Sequence, residues 1–156
     1  MEIKYMKQAI RQAEKAIKQD EVPVGAVIVK GDLIIAKAYN QMEKKQISTA
    51  HAEILCIEKA CKKLKSWRLD DCEMYITLEP CPMCAGAIVN SRIKKVYFGA
   101  YEKKSGSAES KFNILTDSGL NHKTEFEGGI LQEQCATLLK NYFKAKRSEK
   151  VLDETV

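Results

Sequence analysis

His51-Ala52-Glu53 and, further along, Pro80-Cys81-Pro82-Met83-Cys84 supply one imidazole, two thiols and a carboxyl. An imidazole and two thiolates complete three corners of a zinc tetrahedron and leave the fourth for a water. A site of this kind makes hydroxide at neutral pH. Glu53, which follows His51 at one remove, is placed to move the proton rather than to bind the metal. Cys81-x-x-Cys84 alone also fits a redox pair of the thioredoxin type, which likewise follows a strand and opens a helix. That reading leaves His51 and Glu53 without a role. Taken together, the two segments predict His51, Cys81 and Cys84 as ligands of one Zn2+ per chain, with Glu53 as the catalytic group.

The elements that position these residues follow from hydrophobic periodicity. Ile3, Met6, Ile10, Ala13 and Ile17 mark an amphipathic helix from about Glu2 to Gln19. Pro23 then forces its predecessor out of helical geometry. Val24–Val29 and Leu33–Tyr39 read as strands, joined into a hairpin by Lys30-Gly31-Asp32. A polar loop from Gln41 to Ser48 leads to a helix that starts at Thr49 or Ala50 and runs through Leu64. Met74–Leu78 is the next strand, Cys81–Asn90 a small-residue helix, Val96–Phe98 a fourth strand and Lys123–Glu127 a short fifth. Ile130–Arg147 closes the chain as a helix with Leu131, Cys135, Leu138, Leu139, Tyr142 and Phe143 on its apolar side. The order predicts one α/β domain over residues 1–156, a layered sheet with helices on both faces. It places His51 in the first turn of one helix and Cys81 and Cys84 in the first turn of the next. Two positive helix ends then meet at one point and favour thiolate and hydroxide there.

A chain of 156 residues is long enough to bury a core without staples, and 45% hydrophobic with 30% charged residues is ordinary for a globular protein. The longest apolar runs, such as Val24–Val29, are far too short to span a bilayer. The polar, amphipathic start is unlike a secretory signal. Of six cysteines, two are in metal spacing; Cys56, Cys61, Cys72 and Cys135 read as small thiols in a reducing compartment, so a cytoplasmic location is expected. The net charge of +5 is weak support for a polyanionic partner. Its distribution says more, because from Lys140 to Lys150 the chain carries Lys140, Lys144, Lys146, Arg147 and Lys150 against Glu149 alone.

Over nearly its whole length the chain resembles the tRNA-specific adenosine deaminases of the cytidine-deaminase-like superfamily. The zinc signature H-x-E…P-C-x-x-C belongs to the whole superfamily. The tRNA branch is indicated by Glu21-Val22-Pro23-Val24-Gly25-Ala26, Asn40, Thr49 to Ile54, and Thr77-Leu78-Glu79-Pro80 with the run to Ile88. Ser91-Arg92-Ile93, Val96 to Ala100, and Asn121-His122 with Glu125 complete it. The resemblance implies a three-layer αβα sandwich with a central mixed sheet of about five strands. It also implies hydrolytic conversion of adenosine to inosine in tRNA, at the wobble position of the anticodon loop. Zinc-activated water attacks C6, and Glu53 shuttles the proton to N1 and then to the departing amine.

It further implies substrate contacts by Asn40, by backbone N–H groups at Ala52 and Cys81, and near the flanking nucleotides by Glu102. There the family usually carries Asp, one methylene shorter. Phe143, Lys144, Lys146 and Arg147 are the expected RNA contacts at the basic end, and a homodimer is the expected assembly. His122 has no motif spacing to the triad and reads as a residue that holds a loop. Two other readings compete: a zinc deaminase of a free base or nucleoside (guanine, cytosine or adenosine), and a non-catalytic RNA-binding subunit, which the presence of Glu53 disfavours.

Overall fold

The computed structural model describes residues 1–155. Along the chain these form α1 (Ile3–Lys18), β1 (Gly25–Lys30), β2 (Leu33–Tyr39), α2 (Met42–Lys45) and α3 (Ala52–Leu64). Then follow β3 (Cys72–Leu78), α4 (Pro82–Asn90), β4 (Lys95–Ala100), β5 (Glu125–Glu127) and α5 (Gln132–Thr155). The five strands make one sheet in the order β2-β1-β3-β4-β5. β1 runs antiparallel to both β2 and β3, whereas β3, β4 and β5 are mutually parallel. The sheet is therefore mixed, with β3 joined to β4 by the α4 crossover and β4 to β5 by the 101–124 segment.

Alternation along the central strands divides the core into two layers. Ala26 and Ile28, Met74 and Ile76, and Val96 and Phe98 face α3 and α4, where Ala52, Cys56, Ala60, Ala85 and Ile88 pack on them. Val27, Val29, Tyr75 and Tyr97 face the other way, toward Tyr5, Met6, Ala9 and Ile10 of α1 and Cys135 of α5. This is the three-layer αβα arrangement. Tyr75 stands between Tyr5 and Tyr97, with ring centroids 5.4 and 4.7 Å away.

Four expectations need adjustment. The stretch from Gln41 to Ser48 contains the short α2, whose first amides are held by Glu21: Oε1 accepts from the N–H of Glu43 (3.0 Å) and Oε2 from that of Lys44 (2.7 Å). The helices expected from Thr49 or Ala50 and from Cys81 begin later, so that His51 and Cys81 are the residues just before α3 and α4. The last helix does not stop at Arg147 but continues to Thr155, because Ser148 to Thr155 includes neither glycine nor proline to end it. Phe143 falls on its outer side, 44% exposed, rather than among the buried residues.

Candidate active site

The parallel strands β3 and β4 end at Leu78 and Ala100, and ligand sites in open α/β sheets lie beyond such carboxyl ends. Leu78 gives way to Glu79 and Pro80, and Pro82 occupies the first turn of α4. Its fixed φ suits that position, where the missing N–H has no helical partner anyway. Cys81 is thus held in extended backbone (φ −74°, ψ 173°) just ahead of α4, and His51 in the same way (φ −74°, ψ 152°) ahead of α3.

The two helix starts bring three ligand atoms together. Nδ1 of His51 lies 3.7 Å from Sγ of Cys81 and 3.4 Å from Sγ of Cys84, and all three atoms fall within 4.8 Å of one another. Tetrahedral zinc with ordinary Zn–N and Zn–S bonds separates a nitrogen and a sulfur ligand by about 3.6 Å. The donor set and its spacing therefore fit the ion. Electrostatics point the same way. The Cys84 side chain hydrogen-bonds Cys81, and together with His51 this lowers the Cys81 thiol to about 4 despite its burial. The same contact with Cys81, with burial added, pushes Cys84 up, so the sulfurs compete for one proton. The hydrogen bond to Cys81 raises His51 above its ordinary value.

These groups open into a cavity of about 200 Å³, lined among others by Val22, Val24, Asn40, Met42, Ala52, Glu53, Leu78 and Glu102. That is below the roughly 300–1,000 Å³ of clefts for drug-sized ligands and suits a single base with apolar walls. Glu53 is 4% exposed in the first turn of α3, and burial pushes its carboxyl above the usual carboxylate range. A carboxyl raised toward neutrality accepts and returns protons well. Asn40 is 5% exposed, and its Oδ1 lacks a hydrogen-bond partner among the described residues. A buried acceptor left unpaired is costly, and here it lies in the wall of a cavity. Ala52 is the first residue of α3, so its N–H has no partner within the helix.

A family profile described as MafB19-like deaminase matches residues 2–147. A tRNA-specific adenosine deaminase of Bacillus subtilis (strain 168) is 49% identical over 146 residues, covering 94% of this chain and 91% of the relative. The chain belongs to the tRNA-specific adenosine deaminase family. Among solved structures, one from a study of A-to-I editing by tRNA:A34 deaminases at the wobble position of transfer RNA superposes with a TM-score of 0.86. It is 37% identical and covers 88% of this chain and all of the other. A guanine deaminase from Nitrosomonas europaea gives a TM-score of 0.79 at 25% identity, covering 91% of this chain and 84% of that one.

Within this deaminase fold, His51, Ala52, Glu53, Cys81, Cys84, Asn40 and Glu102 come together from four separate stretches of sequence. Glu102 also closes its own turn, accepting from the Lys104 N–H at 3.0 Å. The basic end of α5 does not line this cavity. Its Tyr142 and Lys146 share a second concavity with Asp20, Glu43 and Lys44. Lys146 is engaged there, with Nζ 2.5 Å from Asp20 Oδ1 and 3.4 Å from Glu149, whereas Phe143, Lys144 and Arg147 are exposed. His122 lies away from the triad, with Nε2 2.9 Å from the carbonyl oxygen of Ile93. Cys56, Cys61, Cys72 and Cys135 are unbridged.

Sequence reasoning missed Met42, Ser105 and the two buried glutamates Glu21 and Glu79. Glu21 and Glu79 lie in segments that carry the family resemblance, but an acid next to or two residues before a proline reads as a solvated turn residue, and nothing in the type or spacing of Met42 and Ser105 marks them. Glu79 is 2% exposed. Burial alone would raise its carboxyl, but the N–H groups of Glu109, Ser110 and Glu102 and the Ser110 hydroxyl hold it below the ordinary range.

Proposed function

We propose that this chain converts adenosine to inosine in tRNA, at the wobble position of the anticodon loop, with zinc as cofactor and Glu53 as proton shuttle. One observation carries the reading: a base-sized cavity with His51, Cys81 and Cys84 gathered beside a buried Glu53. The chain around it is 49% identical to a tRNA-specific adenosine deaminase.

Bound by His51, Cys81 and Cys84, zinc would supply a Lewis acid that brings a water near its pKa at neutral pH. Glu53 takes a proton from the attacking water and delivers it to adenine N1, which leaves C6 open to attack. The water oxygen bonds to C6. Glu53 then takes the second proton from the oxygen on C6 and hands it to the amine as the C6–N bond breaks. Ammonia leaves, and C6 keeps the oxygen as the carbonyl of inosine. Asn40 and the N–H groups of Ala52 and Cys81 hold the base edge meanwhile. A base inside a duplex cannot enter such a cavity, whereas an unpaired loop base is readily splayed out.

Glu102 at the cavity mouth meets the neighbouring nucleotides, and Phe143, Lys144, Lys146 and Arg147 meet the phosphates of the loop. The same reading implies a homodimer and a cytoplasmic enzyme. Among the described residues no helix is long and apolar enough to cross a membrane.

The deciding experiment incubates zinc-loaded protein with an arginine tRNA carrying a wobble adenosine, beside free adenosine, guanine and cytosine. Inosine formed only in the RNA supports the reading. Turnover confined to guanine replaces it with the activity named for the guanine deaminase neighbour, and turnover confined to adenosine or cytosine replaces it with deamination of that free compound. Sedimentation equilibrium tests the dimer, and a monomer at all working concentrations removes it.

A further inference from the structure

The 101–124 segment between β4 and β5 holds no regular helix or strand, yet Ser107, Ala108 and Leu115 within it are fully buried. Long irregular segments in compact folds are usually functional, and something other than a ladder must fix them. Here that is Glu79. Its Oε1 accepts from the Glu102 N–H at 3.1 Å, and its Oε2 from the N–H groups of Ala108, Glu109 and Ser110 at 3.1, 2.9 and 2.9 Å. The Ser110 hydroxyl donates to Oε1 as well. No ion pair of Glu79 is found among the described residues. Its charge is met by a nest of amides, the arrangement in which charge-assisted hydrogen bonds offset the cost of burial.

Gly106 shows independently how closely this segment wraps the carboxylate. A Cβ there would collide with the Glu79 carboxylate and with the Glu102 carbonyl. The Ser107 N–H adds a bond to the Pro80 carbonyl at 2.8 Å. The loop is thereby pinned at both ends of a stretch that presents Glu102 and Ser105 to the cavity. The pin is the residue just ahead of Pro80 and the Cys81 turn. A base fills the cavity itself, whereas the nucleotides on either side of it have to lie over the rim.

We propose that Glu79 is a positioning residue which ties the 102–110 rim to the Cys81 turn and so sets the grip on the nucleotides flanking the target base. This rests on the RNA substrate proposed above. Glutamine in its place keeps the shape but has one oxygen, and it turns an NH2 toward donors. It therefore cannot serve both ends of the nest.

The test uses zinc-loaded full-length protein, an RNA stem-loop with an unpaired adenosine, and the variants Glu79→Gln and Ser110→Ala. With Glu79→Gln, KM for the stem-loop should rise about tenfold while kcat stays within about threefold of wild type and zinc content is unchanged. Amides of Glu102, Ala108, Glu109 and Ser110 should exchange with solvent about tenfold faster, while those of α3 and α4 keep their protection. Ser110→Ala, which removes one donor, should raise KM about threefold. An unchanged KM in Glu79→Gln overturns the proposal. So does a loss of zinc together with kcat, which would make Glu79 a prop of the metal turn. If Glu79→Gln does not fold, Ser110→Ala decides, and an unchanged KM there is equally fatal. A wild-type protein inert on the RNA overturns the substrate reading first, and the grip on flanking nucleotides with it.

Discussion

His51 and Cys81 occupy the same position on two different helices. Each is the residue just before the first turn and neither makes a capping hydrogen bond with its side chain, the Cys81 sulfur being engaged by the Cys84 thiol. Such positions are normally held by Ser, Thr, Asp or Asn, and forgoing the cap costs about 1 kcal/mol. Here both side chains turn to each other instead, with Nδ1 and Sγ 3.7 Å apart. Local helix stability is given up at both ends for a pair of side chains spaced to hold a metal ion, and a bound ion would restore it.

Removal of zinc should therefore cost stability as well as activity. With free zinc at 100 times its dissociation constant, binding stabilises the fold by about 2.7 kcal/mol. For a chain of this length that is roughly 5–10 °C in Tm. Chelation should lower Tm by that amount and abolish turnover, and added zinc should restore both. His51→Ala should bind less than one zinc per chain and show no response to chelator. Full turnover in the presence of excess chelator would remove the metal from the reaction.

Glu53 is almost wholly enclosed, and of the other two carboxyls in the cavity wall Glu102 closes its own turn by accepting from the Lys104 N–H. Glu79 lines the same cavity, but its oxygens are spent on amides. Glu53→Gln should lower kcat by about 10²–10⁴-fold, the range for loss of a general acid–base group. Zinc stoichiometry and Tm should hold. Single-turnover kinetics with metal analysis on the same sample check this, and a variant within tenfold of wild type removes Glu53 from the shuttle.

The sheet was legible because its strands obey period two without exception at the centre: Val27 and Val29 face one layer, Ala26 and Ile28 the other. The metal triad was legible because Cys81-x-x-Cys84 and His51-x-Glu53 are local patterns. Glu21 and Glu79 were not, since their partners lie more than twenty residues away and are backbone amides, which any residue supplies. α2 escaped notice because Met42–Lys45 has no apolar stripe and depends on Glu21 to start it. The outward face of Phe143 was misjudged for a related reason. Tyr142, its neighbour, takes the inward side and donates its hydroxyl to the Asp20 carbonyl at 3.3 Å.

Asn40 offers a sharper test than an ordinary contact residue, because its buried Oδ1 has no partner among the described residues. An unpaired buried acceptor destabilises by about 1–3 kcal/mol until something donates to it. Asn40→Ala should therefore leave Tm unchanged or higher, while KM for the RNA rises by about ten- to a hundredfold. A residue that merely ended β2 would show the opposite, with lower stability and unchanged KM. Thermal melts and steady-state kinetics on one preparation separate the two.

The basic end of α5 yields a prediction about salt. If Lys144 and Arg147 meet phosphates, each contact contributes about 0.7 to the slope of log affinity against log salt for single-stranded RNA. Lys144→Ala and Arg147→Ala combined should then flatten that slope by about 1.4. Lys146 starts from a different position. Its ammonium lies 2.7 Å from Asp20 Oδ2 and is held by Glu149 too, so reaching a phosphate means leaving both. Asp20→Asn removes the stronger tether and one negative charge together. It should tighten RNA binding and steepen the salt slope, whereas Lys146→Ala alone should change the slope less than either neighbour does. Fluorescence anisotropy across a salt series reads all of these. Equal slopes for every variant would assign the basic residues to solvation of the helix and leave the grip on RNA to the rim at Glu102.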